Sequence, residues 1–197
     1  MNRLVRTMFR TFSGMVFCGL IALNAHASTV YDEAAHGDLS TNNLSPTSVG
    51  LGLGENLILG STVHTPSLDR DFFTLTVDAG QMLNAIVLSS YTTTDDQSFF
   101  GMAKGNGITD LTSAAGLLGW ALIGDQPGLS VGDNLLDNVA GGPVGPGAYT
   151  FWLQETSGST TYILDYQVAA VPLPAALPLF LSGLVGIGAI ARKMKWM

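Results

Sequence analysis

From Phe72 to Val77 the chain reads FFTLTV, with Phe73, Leu75 and Val77 on one side of an extended backbone and Thr74 and Thr76 on the other. Alternation with a period of two marks a strand with one buried face, because a helix would scatter the same residues around its circumference. The pattern recurs. Ala148 to Glu155 (AYTFWLQE) sets Tyr149, Phe151 and Leu153 against Thr150, Trp152 and Gln154, and Thr161 to Val168 (TYILDYQV) aligns Tyr162, Leu164, Tyr166 and Val168. Met82 to Ser89 (MLNAIVLS) is apolar at nearly every position, as in a central strand covered on both sides. Asn56 to Val63 is a further strand in which Gly60 marks a bulge, and Ser98 to Ala103 a shorter one. The turns Asp78-Ala79-Gly80 and Ser157-Gly158-Ser159 predict that the strands on either side of each form a hairpin. Val49, Leu51 and Leu53 alternate with glycines, which suits a strand or a linker. In Leu111 to Asp137, LGWALIG suits a strand and VGDNLLDNVAG a helical turn or a loop. Roughly six to eight short strands with no amphipathic helix and no solenoid repeat predict an all-β fold, a jelly-roll-like β-sandwich.

The two ends of the chain bound this domain. Arg3, Arg6 and Arg10 precede an apolar core from Phe12 to Leu23, and Ala25 and Ala27 supply the small residues of a signal-peptidase site, so cleavage after Ala27 is expected. Cys18 follows Phe17, where a lipobox needs a small side chain, so lipidation is the poorer reading. At the other end Val171-Pro172-Leu173-Pro174 leads into an apolar run from Ala175 to Ala191 and then Arg192, Lys193 and Lys195. As a helix the run would be about 25 Å long, just enough to cross a bilayer, and the basic cluster would keep the C-terminus cytoplasmic. The expected organisation is a signal peptide at 1–27, one domain at 28–170 and a C-terminal membrane segment at 171–197.

Between the ends lie all fifteen acidic residues and only two basic ones, Arg70 and Lys104, a net charge of −13. Such a surface repels nucleic acid and anionic lipid and attracts cations, although acidity also serves plain solubility. The only cysteine, Cys18, leaves with the signal peptide, so the expected domain holds neither a disulfide nor a thiol nucleophile.

Asp69-Arg70-Asp71-Phe72-Phe73-Thr74-Leu75-Thr76-Val77, then Ala79-Gly80 and an apolar strand, then Gly147-Ala148-Tyr149-Thr150-Phe151 and Tyr162-Ile163-Leu164, together resemble the bacterial pre-peptidase C-terminal domain. The resemblance covers roughly Leu57 to Val168. It implies a jelly-roll-like sandwich of the kind found beside secreted enzymes, some members of which bind Ca²⁺ or polymeric substrates. Val171, Pro172, Leu173, Pro174 and Ala175, followed by an apolar helix and a basic cluster, resemble the Val-Pro-Leu-Pro-Ala variant of the PEP-CTERM sorting signal. That resemblance implies a Gram-negative host, transient anchoring in the inner membrane, and processing by an exosortase near the motif. Proline keeps such a tetrapeptide extended and accessible. An ordinary single-span anchor is the alternative.

Chemistry is sparsely provided. His36 and His64 are the only imidazoles after position 27, and neither belongs to a nucleophile or zinc motif. His36 lies near Glu33 and Asp38, which suits a metal or merely an exposed loop. Asp95-Asp96 suits a glycosidase acid or a solvated loop. Asp69 and Asp71, two apart at the start of a strand, suit Ca²⁺, with Asp32, Glu33 or Asp38 completing the oxygen shell; solvated acids with Asp71 capping a turn are the competing reading. Trp120 and Trp152 suit either sugar stacking or, as their apolar surroundings favour, the core. The expectation is a non-enzymatic exported surface or matrix protein with extracellular polysaccharide as a partner. A Ca²⁺-dependent carbohydrate-binding module and a hydrolase are the alternatives.

Overall fold

A computed structural model describes residues 27–94, 97–124, 128–155 and 157–171. The signal-peptide residue Ala25, the pair Asp95-Asp96, and Pro172, Leu173, Pro174, Ala175, Arg192, Lys193 and Lys195 lie outside the described residues.

Among the described residues nine strands form two sheets. In chain order they are β1 (Ser28–Asp32), β2 (Thr47–Val49), β3 (Gly54–Val63), β4 (Arg70–Val77), β5 (Gln81–Thr93), β6 (Gln97–Lys104), β7 (Gly119–Gly124), β8 (Gly147–Glu155) and β9 (Ser159–Ala170). One sheet runs β1-β3-β9-β5 and the other β2-β4-β8-β6-β7. Three helical turns accompany them among the described residues: α1 (Glu33–His36) after β1, a 3-10 turn at Ala114–Gly116 before β7, and α2 (Leu136–Val139) before β8. The all-β sandwich expected from the alternation is present, with β1 beside β3 and β2 beside β4 in parallel and the other pairs antiparallel.

The alternating residues of both sheets meet in one core. Phe73 on β4 stands opposite Phe151 on β8 with ring centroids 5.4 Å apart, and Tyr166 of the other sheet meets both edge-on at 6.1 and 5.2 Å. All three are fully buried. Edge-on and offset arrangements place positive ring edges against negative faces, which adds to the burial of large apolar area.

Three expectations are corrected. β4 and β5 do not form a hairpin, and neither do β8 and β9; each pair is split between the two sheets. The turn at Asp78–Gly80, closed by Gln81 N–H donating to the Asp78 carbonyl at 3.0 Å, is an arch that carries the chain across the core. β5 is an edge strand rather than a central one. Its continuous apolar run reflects register shifts at Asn84 and Ser89, which reset the alternation so that Leu83, Ile86 and Leu88 all face inward. The segment 132–144, with α2, lies along its free edge: Leu83 and Val144 exchange backbone hydrogen bonds at 2.9 and 3.0 Å, and Leu135 N–H donates to the Ile86 carbonyl at 2.7 Å. The edge is thereby blunted against pairing with other chains. Gly60 marks no bulge in its pairing with β9, where it stands directly opposite Tyr162 in continuous register.

Candidate metal centre

The reason for glycine at 60 is a close approach. A Cβ there would lie 2.5 Å from Cζ of Tyr162, so only glycine lets the tyrosine lie across β3. The phenol then reaches over to the other sheet, where Tyr162 Oη donates to Oδ2 of Asp71 at 2.6 Å. Asp71 sits near the start of β4 on the same side as Phe73, Leu75 and Val77, and is fully buried. It is neither solvated nor a turn cap.

Two more carboxylates converge on it. Asp32 caps α1 by accepting from Ala34 N–H at 3.0 Å, and this fixes Glu33 at the head of the turn. Glu33 Oε1 accepts from Leu39 N–H at 3.1 Å, while Oε2 accepts from Ser61 N–H at 2.7 Å and from its hydroxyl at 3.1 Å. Asp38 comes from the exposed loop that follows. One oxygen from each of Glu33, Asp38 and Asp71 lies within 4.8 Å of the other two. Asp69, paired with Asp71 in the sequence reading, is not in this group, and Asp32 is engaged by its cap. Of the acids expected to complete an oxygen shell, Glu33 and Asp38 are brought to Asp71.

The electrostatics of the cluster are unbalanced. Burial, then the charges of Glu33, Asp69 and Asp38, push Asp71 from an ordinary 3.8 up to about 9, against the lowering effect of the Tyr162 hydrogen bond. Glu33 is raised by burial and by Asp38, although its hydrogen bonds from Leu39 and Ser61 work the other way. Asp69 is raised by burial and then by Asp38. Burial and the nearby Asp71 carboxylate hold the Tyr162 phenol well above its ordinary range, so it remains a donor.

The donor set fits a hard divalent cation. Ca²⁺ takes six to eight oxygen ligands in flexible geometry, and three carboxylates supply charge and part of the shell. Asp71 Oδ1 is buried with no hydrogen-bond partner, an arrangement that disfavours the protein alone and that a cation would relieve. An open recess of about 330 Å³, lined in part by Glu33, Ser61 and Tyr162, adjoins the cluster.

The histidines take no part. The His36 ring stacks on Tyr31 at 5.3 Å, with Nδ1 3.0 Å from the Asp32 carbonyl, and His64 Nδ1 lies 3.4 Å from the Glu155 carbonyl. Trp120 and Trp152 separate. Trp152 is buried against Phe72 and Phe99, whereas Trp120, expected in the core, is 50 % exposed. Sequence reasoning missed Tyr162 and Gly60 as parts of the centre; the one available signal was a glycine inside an otherwise β-branched and apolar strand.

No protein-family model and no curated protein matches the chain.

Proposed function

We propose that this chain is a non-enzymatic exported protein of the cell surface or extracellular matrix, whose sandwich is fastened by Ca²⁺ at Glu33, Asp38 and Asp71. The observation that carries the reading is the convergence of three acids from α1, its following loop and β4, one of which, Asp71, has a buried carboxylate oxygen with no hydrogen-bond partner. Extracellular Ca²⁺ modules bind weakly, with dissociation constants on the order of 0.1–1 mM, a range that suits a site of few protein charges. Bound there, the ion would join the strand edge at α1 to β4 of the opposite sheet and allow Asp71 to ionise.

The export half of the reading is supported by the placement of the strands. β1 begins at Ser28, directly after the proposed signal-peptidase site, and β9 ends at Ala170, directly before the proposed sorting motif at Val171 to Ala175. On this reading an exosortase processes the chain near that motif. Thermal melting of the protein during a Ca²⁺ titration, with EDTA as reference, tests the metal; a melting temperature indifferent to both would refute it. Mass spectrometry of the protein recovered from cells tests the processing, and a C-terminus still ending in Trp196-Met197 would restore a plain anchor.

A further inference from the structure

The outer face of the five-stranded sheet carries a row of aromatic residues. Trp120 on β7 stands opposite Gly101 on β6, Gly101 opposite Trp152 on β8, and Trp152 opposite Phe72 on β4. Directly opposed residues project from the same side of a sheet, so these four positions form one line across it. Gly101 leaves a gap that Phe99 fills. A Cβ at 101 would lie 2.9 Å from Phe99 Cε1 and 3.1 Å from Leu117 Cδ1. The Phe99 ring is stacked 6.0 Å from Trp120 at an interplanar angle of 20°, and lies 4.6 Å from Trp152.

One end of the row is closed and the other open. Phe72 and Trp152 pack under Ile108, Leu111 and Leu117, while Trp120 stands half exposed on the edge strand. Beside Phe99 and Trp152 is an open recess of about 140 Å³, lined also by Thr112, Ser113 and Leu117 among others. Its rim is ordered in advance: Asp110 accepts from Thr112 N–H at 2.8 Å and from its hydroxyl at 2.7 Å, and Ser113 caps the short turn at Ala114–Gly116. Trp152, only 8 % exposed, keeps its indole N–H buried with no acceptor. That nitrogen is closed to solvent, so Trp152 serves the recess as an apolar wall.

We propose that this strip binds a neutral pyranose polysaccharide, with Trp120 and Phe99 stacking on the C–H faces of the sugar rings. No residue lining the recess is ionisable. Fifteen acids against two bases between positions 28 and 170 repel polyanions at longer range, so the charge pattern selects an uncharged chain over an acidic one. The recess is smaller than pockets that enclose drug-sized ligands, which suits one ring of a polymer running across an open face. The inference deepens the matrix reading by naming a partner, and it shares no residue with the Glu33–Asp38–Asp71 centre.

The test uses the full-length chain in a non-glycosidic detergent, with cellohexaose and laminarihexaose as neutral probes and polygalacturonate as the anionic comparison. Calorimetry and tryptophan fluorescence are expected to show saturable binding of a neutral hexasaccharide and none of the polyanion. Trp120→Ala is expected to bind about tenfold more weakly with an unchanged melting temperature, and Trp120→Tyr, which keeps a stacking plane, to retain most of the affinity. Failure of both neutral probes to bind, equal binding by Trp120→Ala, or preference for the polyanion would each overturn the proposal. So would self-association of the wild type that Trp120→Ala abolishes without any sugar binding, which would assign the strip to a second copy of the chain. None of these outcomes depends on the response to EDTA, so the glycan and calcium readings fail separately.

Discussion

Replacing Asp71 with Asn tests the metal centre from two directions at once. In the metal-free protein Asp71 holds its proton up to about pH 9, whereas in the unfolded chain it ionises near 3.8. The folded state therefore binds more protons across that interval. The contribution is fully present below 3.8 and is lost progressively as the pH rises towards about 9. One proton of difference corresponds to about 1.4 kcal/mol per pH unit, or roughly 4–6 °C of melting temperature per unit for a domain of this size, as an upper limit. Asn removes the titration, keeps one acceptor for Tyr162, and adds donors towards Glu33 and Asp38. In EDTA, Asp71→Asn should melt above the wild type at pH 8 and show a shallower fall with pH, the remainder coming from Glu33 and Asp69, which are also raised. With millimolar Ca²⁺ the order should reverse, because the cation stabilises only the chain that can present the third carboxylate. Differential scanning calorimetry between pH 5 and pH 9, with and without Ca²⁺, reads both effects. An unchanged pH slope, or an equal Ca²⁺ response in the variant, would refute the account of Asp71 given above.

Gly60→Ala should cost about 2–4 kcal/mol in chemical denaturation, since the new methyl group displaces Tyr162 and breaks its bond to Asp71; a near-neutral change would show that the tyrosine has another place to go. Tyr166 Oη is buried without a partner at the centre of the aromatic core, so Tyr166→Phe should be neutral or raise stability by about 1 kcal/mol, and a clear loss would point to an unseen partner.

The strands were legible because period-two alternation states which side of a strand is buried, and Phe73, Phe151 and Tyr166 all lie inside as that alternation requires. The pairing was not legible from the same signal. An inward apolar face is demanded equally of two strands that are neighbours in one sheet and of two that face each other across a core. The short turns read at Asp78-Ala79-Gly80 and Ser157-Gly158-Ser159 suit either geometry. In β5 the two register shifts blurred the alternation itself, and an edge strand read as a central one. At the candidate metal centre, alternation already put Asp71 on the buried side with Phe73 and Leu75, whereas Asp69 precedes the first residue of β4 and is not bound by that rule. The approach of Glu33 depended on the turn capped by Asp32 and on its bonds to Leu39 and Ser61, contacts that no local pattern announces.

The position of β9 has a consequence for the order of assembly. It is the last of the described strands, yet it lies between β3 and β5, which do not pair with each other. Until Ser159–Ala170 is available, both of those long strands lack their shared partner, and Tyr162 is absent from Asp71. A chain crossing a membrane from its N-terminus would thus hold this sheet open until nearly all of the domain had crossed. Val171 N–H then donates to the Gly80 carbonyl at 2.8 Å, so the first residue of the proposed sorting motif is itself tied to the finished sandwich. On the export reading, completion of the fold and presentation of the motif to its protease are separated by almost no slack in the chain.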